Sequence, residues 1–135
     1  MIVVIDTNVL VSALLNPAGI PAKILKMLLD GRFVAAVNED IIEEYTDVLN
    51  RAKFGFNPYD IADLMSYLCN YSVSAIMRTP SAQYDVMHED DRKFLEVAIA
   101  AKADFLITGN LKHFPDSKHD KLKIISPAGF INFIK

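Results

Sequence analysis

Ile2-Val3-Val4-Ile5-Asp6-Thr7-Asn8 is a run of four β-branched apolar residues that stops on a carboxylate followed by two small polar side chains. Continuous apolarity, in place of apolar/polar alternation, suits a strand covered on both faces, and a central strand of a parallel sheet is such a strand. Open parallel sheets bind ligands just beyond the carboxyl ends of their strands, so this reading puts Asp6 where chemistry usually sits. A local role competes with it, in which Asp6 caps or turns the segment that follows. The stretch alone leaves the two readings even. The functional one gains because three later stretches each bring an oxygen-bearing side chain to a comparable position.

Outward from this strand, Asn16-Pro17-Ala18-Gly19-Ile20-Pro21 reads as a loop, with Pro21 in the first turn of a helix that carries Ile24, Leu25, Leu28 and Leu29 and ends at Gly31. One strand and one helix are thus expected before Phe33 to Val37, the second strand. Asn38 caps a helix with Ile41, Ile42, Tyr45, Val48 and Leu49 on one face. Asn57-Pro58 opens another helix, with Ile61, Leu64, Met65 and Leu68 facing inward. A strand is expected over Tyr71 to Met77 and a polar loop between Arg78 and Glu89. Asp90-Asp91 opens a helix whose buried stripe is Phe94, Leu95, Ala98 and Ile99. Asp104 to Thr108 is a strand ending at Gly109-Asn110, Leu122 to Ile125 is another, and Ser126-Pro127 starts a last helix through Ile131 and Ile134. This alternation predicts an α/β protein, a three-layer α/β/α sandwich around a central, mostly parallel sheet.

Composition bounds the function. A length of 135 residues, 52% of them apolar and 23% charged, is that of a single soluble domain spanning 1–135, without a linker. Apolar runs fall short of the roughly 20 residues of a membrane span, and no basic region precedes the first one, so a cytoplasmic protein with no membrane partner is expected. The single cysteine, Cys69, is read as a small core residue, and no Cys/His spacing suggests zinc. A net charge of -3 argues against broad electrostatic capture of nucleic acid, so any such partner must be held locally, by a basic patch or by metal ions.

Helical geometry separates neighbouring carboxylates. Residues three and four apart share a face, which puts Glu44 between Ile41 and Val48 on the apolar side and Glu43 among Glu39, Asp40, Thr46 and Asp47 on the solvated side. A carboxylate on an apolar stripe needs a partner or a cation. Pairing of Glu44 with Arg51 or Lys53 is the bland alternative. By the same test Asp91 shares a face with Phe94 and Leu95, whereas Asp90 aligns with Lys93. Asn110, just past the strand from Asp104, lies at the same end of the sheet as Asp6, unless Gly109-Asn110 is only a turn. Like charges at ~4 Å repel by about 4 kcal/mol at an effective dielectric near 20, so Asp6, Glu44 and Asp91, with Asn110 as a neutral donor, call for a divalent cation. Carboxylate and amide oxygens select Mg²⁺ or Mn²⁺.

Taken together, Asp6-Thr7-Asn8 at a strand end, Glu44 before Tyr45 and Val48-Leu49, Asp91 ahead of Lys93-Phe94-Leu95, and Ala103 to Asn110 resemble the PIN domain over essentially the whole chain. The match is nearest to single-domain prokaryotic PIN proteins described as toxin components of toxin-antitoxin systems, which also tend to carry Asn-Pro-x-Gly-x-Pro after the first strand, here Asn16 to Pro21. The resemblance implies an RNase H-like set of acidic residues around one or two divalent ions, and metal-assisted hydrolysis of RNA phosphodiester bonds. Asp6, Glu44 and Asp91 are the implied catalytic and metal-holding acids, with Asn8 and Thr108 in support. Asn110 departs from the commoner aspartate, which puts a second ion in doubt. The partners implied are an RNA substrate and an antitoxin protein, and a homodimer stays open.

Lys112, Lys118 and Lys121, with His113 and Lys123 nearby, form the expected contact with substrate phosphates; a solvated loop is the competing reading of each. His113 and Phe114 are read as packing residues, and His88 and His119 receive no role. Two other classes remain. One is a PIN-like module that binds RNA or protein without cutting, which Asn110 favours. The other, ranked lower, is a phosphatase of the haloacid dehalogenase type, whose Asp-x-Asp-x-Thr pattern is broken here by Asn8.

Overall fold

The N-terminal apolar run is strand β1 (Ile2–Ile5), and it lies at the centre of the sheet. The computed structural model describes residues 1–76, 85–115, 118–119 (backbone only) and 121–134. The other strands are β2 (Val34–Val37), β3 (Val73–Ser74), β4 (Phe105–Ile107), β5 (Lys118–His119) and β6 (Leu122–Ile125). Their order is β3-β2-β1-β4-β6-β5; every pairing is parallel except β5 with β6. With helices α1 (Thr7–Leu15), α2 (Ile20–Leu29), α3 (Glu39–Leu49), α4 (Pro58–Tyr71), α5 (Arg92–Ala100) and α6 (Pro127–Ile134), the architecture is the expected three-layer α/β/α sandwich.

Local chemistry accounts for most boundaries. The Asn38 side chain accepts from the Ile41 N–H at 2.9 Å, and the Asn57 side chain accepts from the Tyr59 N–H at 2.8 Å, so both helices start at a satisfied cap. Gly31, at φ +79°, takes the left-handed turn that ends the α2 connection. Val3, Val4, Leu106 and Ile107 are essentially without exposure, as two-sided coverage demands. Phe130 of α6 packs edge-on against Phe33 and Phe105, and Tyr45 of α3 stacks on Phe94 of α5.

Several expectations need correction. Two helices, α1 and α2, stand between the first two strands where one was expected. The α1 segment is apolar nearly all round, with Thr7, Val9, Leu10, Val11 and Ala13 buried, so it shows no single-face periodicity to read. The strand expected over Tyr71 to Met77 is only Val73–Ser74, because α4 continues through Tyr71; Met77 itself, and the expected loop over 78–84, lie outside the described residues. A single 3-10 turn, Glu89–Asp91, precedes α5, and Val97 joins its buried stripe ahead of the less buried Ile99. Cys69 is exposed. It follows Leu68 of the inward stripe by one residue, a rotation of about 100° around the helix.

Tyr45 ties α3 to the end of β1: its buried hydroxyl donates to the Ile5 carbonyl. Tyr45→Phe should therefore cost about 1–3 kcal/mol of stability, the usual consequence of leaving a buried acceptor short of its donor. Urea denaturation checks this, and an unchanged midpoint would show that the carbonyl finds another partner.

Candidate active site at the carboxyl end of the sheet

The chain leaves β1 towards β2 on one side and returns to β4 on the other, so the strand order reverses between β1 and β4. Such a switch point opens a crevice beyond the strand ends because consecutive connections diverge from it. Asp6 and Thr108 are the first residues past those two strands. Sheet hydrogen bonding carries through both: the Asp6 N–H donates to the Ile107 carbonyl at 2.9 Å and the Thr108 N–H to the Ile125 carbonyl at 3.0 Å. The Thr108 hydroxyl donates to Asp6 Oδ2 at 2.7 Å and accepts from the Asn110 N–H at 3.0 Å. Asp6, only 4% exposed, is thereby held in one orientation. It precedes α1, where the nearby Asn8 N–H favours its charge without a well-formed cap hydrogen bond.

Glu44 and Asp91 reach the same end of the sheet on α3 and on the 3-10 turn before α5. Glu44 is partly buried while Glu43 is exposed, and Asp91 is partly buried while Asp90 is exposed. Each acid has a partner. Glu44 accepts from the Thr7 hydroxyl through Oε2 and from Lys93 Nζ, 2.8 Å away, through Oε1. His113 Nδ1 lies 3.0 Å from Asp91 Oδ2, in position to donate, and the His88 ring sits edge-on to His113 with centroids 4.5 Å apart. The Met87 N–H donates to the His113 carbonyl at 2.8 Å, which fastens the segment carrying Asp91 to the turn after Asn110. Arg51, one of the expected partners of Glu44, pairs with Asp47 instead.

From sequence, Lys93 and Thr7 have no role of their own in the site, and His113 enters it only among the basic residues after Asn110 and as a packing residue. Their contacts span 49, 37 and 22 positions, and no local pattern encodes them. The basic residues fare differently. Lys112 is exposed in the single turn Leu111–His113, directly after the partly buried Asn110. Lys121 lies 3.6 Å from Asp104, which accepts from the Ile2 N–H at the start of β1, so Lys121 is at the end of the sheet remote from Asp6. The backbone of Lys118 pairs with Lys123, in register with Phe105 at the start of β4, and shares that remote end. The Lys118 side chain lies outside the described residues. Asn8 is exposed in the first turn of α1.

Electrostatics link the acids. Burial pushes the Asp6 carboxyl above its ordinary range; the Thr108 hydroxyl and the Asn8 N–H oppose this, while the charges of Asp91 and Glu44 add to it. Asp91 is also raised, first by burial, with His113 and His88 pulling down and Glu44 pushing up. Among the described residues no three acidic, histidine or cysteine side chains converge tightly enough to ligate an ion as they stand, because each acid is turned to its own donor. The donor set itself fits a hard divalent cation: three carboxylates gathered at one sheet end, with Asp91 and Glu44 adding to the raised pKa of Asp6, beside a hydroxyl and an amide.

Proton linkage makes this testable without activity. A carboxyl whose folded pKa is raised binds its proton more tightly in the folded chain, so its contribution is most favourable below the unfolded value of 3.8 and is lost as pH rises through the folded value. Without divalent ions, Asp6→Asn should therefore be more stable than wild type at neutral pH, with the gap closing as pH falls below 4. A gap that widens on acidification, in thermal melts across this range, would mean that Thr108 outweighs burial and repulsion.

The family model of the PIN domain matches residues 2–112. A protein of Methanocaldococcus jannaschii described as uncharacterised is 35% identical over 138 residues, an alignment that spans 96% of this chain and 88% of that protein. Among solved structures, VapBC2 from Rickettsia felis, bound to a DNA fragment from its promoter, has a chain that superposes with a TM-score of 0.58 at 16% identity, covering 93% of this chain and 98% of that one. That likeness concerns the fold; the family match and the archaeal relative concern descent. The chain belongs to the PIN domain family.

Proposed function

We propose that this protein is a Mg²⁺- or Mn²⁺-dependent endoribonuclease of the cytoplasm that hydrolyses RNA phosphodiester bonds, acting as the toxin of a toxin-antitoxin pair. The observation that carries the reading is a set of acids on a PIN fold, Asp6, Glu44 and Asp91, that share one sheet end, where burial raises the carboxyls of Asp6 and Asp91, Asp91 and Glu44 add to the rise at Asp6, and Glu44 adds to the rise at Asp91. Asp6 and Asp91 are the residues that would hold the ion, with Glu44 and Asn110 as further oxygen donors. When bound, a divalent cation supplies Lewis acidity towards water and the phosphoryl oxygens. The Thr108 hydroxyl holds Oδ2 of Asp6 and the Thr7 hydroxyl holds Oε2 of Glu44, so both carboxylates are anchored beside the strand end, and their other oxygens would turn to meet the ion. The antitoxin reading draws on the Rickettsia felis likeness, a structure of VapBC2 on promoter DNA.

Membership of the PIN family and Asn8 together set aside the dehalogenase-type phosphatase. The non-cutting module is the reading favoured by Asn110, and it predicts RNA binding without cleavage under any divalent ion. Purified wild-type protein should cut single-stranded RNA with Mg²⁺ or Mn²⁺ and not with EDTA. Asp6→Asn and Asp91→Asn should abolish cutting, and Glu44→Gln should impair it far more than Glu43→Gln. Full activity in Asp6→Asn would contradict the assignment.

A second expectation concerns Asn110. Asn110→Asp adds a fourth anion beside the set, so it should lower the metal-free melting temperature slightly and enlarge the stabilisation by Mn²⁺. An unchanged Mn²⁺ shift would make Asn110 a turn residue outside the site.

A further inference from the structure

With Lys121 and the Lys118 backbone at the remote end of the sheet, the exposed Lys112 is the one of the three expected lysines left beside Asn110, and a chain of net charge -3 gains from a second positive group close to its acids. A cleft of about 790 Å³ lies between α3 and α5, walled by acidic Glu43, Glu44, Asp47 and Asp90. Its basic lining residues, among those described, are Arg51 and Lys93. Arg51 lies on the outer side, 3.5 Å from Asp47, with both side chains at least half exposed. Lys93 is 26% exposed and bonded to Glu44, whose other oxygen accepts from Thr7, the residue next to Asp6.

We propose that Lys93 is the group that contacts the substrate phosphate, and that its bond to Glu44 is a resting arrangement it leaves when a divalent ion and RNA are bound. This rests on the nuclease reading above. The pair is part-exposed on both sides, so it is weak enough to exchange, whereas a deeply buried pair would be locked. A lysine suits the exchange because its ammonium is a compact charge on a flexible stem and binds phosphate as a point charge. Any cation drawn to Glu44 competes with Lys93 for that carboxylate. The displaced ammonium then stands at the edge of the acidic set without a partner, where a phosphate diester offers one.

The proposal makes ion binding and RNA binding respond to Lys93 in opposite directions, which a purely structural lysine cannot do. Lys93→Met and Lys93→Arg, with wild type, are titrated with Mn²⁺ alone by thermal shift and assayed with a fluorescent single-stranded oligoribonucleotide. Lys93→Met should bind Mn²⁺ roughly threefold to tenfold more tightly, since a competing cation is gone. It should raise the KM for RNA tenfold or more with a smaller change in kcat, and Lys93→Arg should recover part of the loss. If wild type binds RNA without cutting, the nuclease reading fails, and anisotropy against salt concentration decides the proposal instead. In that case Lys93→Met should lower the slope of log affinity on log salt by about 0.7, one phosphate contact on a single strand. Unchanged RNA affinity, KM and salt slope in Lys93→Met would overturn the proposal, as would a joint weakening of Mn²⁺ and RNA binding.

Discussion

Burial of the Asp6 carboxylate is the constraint to which the rest of the site answers. A charged oxygen pair at 4% exposure is stable only where hydrogen bonds and counter-charge replace water, and the fold provides the first through Thr108. Thr108 can do so because β1 and β4 run parallel in register, Ile5 beside Ile107, so the residues that follow them emerge side by side. The remaining repulsion, from Asp91 and Glu44, works against the bare protein and in favour of a cation. A site of this kind trades stability of the empty fold for affinity towards an ion.

The surrounding acids are positioned by different means. Glu44 sits one residue before Tyr45, whose hydroxyl is bound to the Ile5 carbonyl and whose ring stacks on Phe94, so the pitch of α3 against the sheet fixes where Glu44 can reach. Asp91 depends on the 3-10 turn ahead of α5 and on His113, which is itself anchored through the Met87 N–H. Glu44 is thus carried by an internal helix contact and Asp91 by loop contacts.

Much of this was legible in the sequence, for identifiable reasons. The unbroken Ile2 to Ile5 run and the Asn38 and Asn57 caps encode a parallel sheet and helix starts locally, and the helical phase distinguished Glu44 from Glu43 in burial. The α1 helix was missed because burial on nearly all sides erases the amphipathic period, and the two-residue β3 and β5 are set by pairing, which short segments do not encode. At the site, the lysines after Asn110 are near one another in sequence, yet Lys112 stays beside Asn110 while the backbone of Lys118 in β5 and the side chain of Lys121 lie at the far end of the sheet. Lys93 and His113 belong to contacts between distant segments, and only the folded chain displays them.

The proposed chemistry requires that Asp6, Glu44 and Asp91 hold one cation at the switch between β1 and β4. Crystals soaked in Mn²⁺ and measured at a wavelength giving anomalous signal from manganese decide this. An anomalous peak is expected within coordination distance of carboxylate oxygens of both Asp6 and Asp91, with Glu44 turned away from Lys93. A peak confined to the outer cleft beside Asp47 and Asp90, or no peak near Asp6 at saturating Mn²⁺, would contradict it.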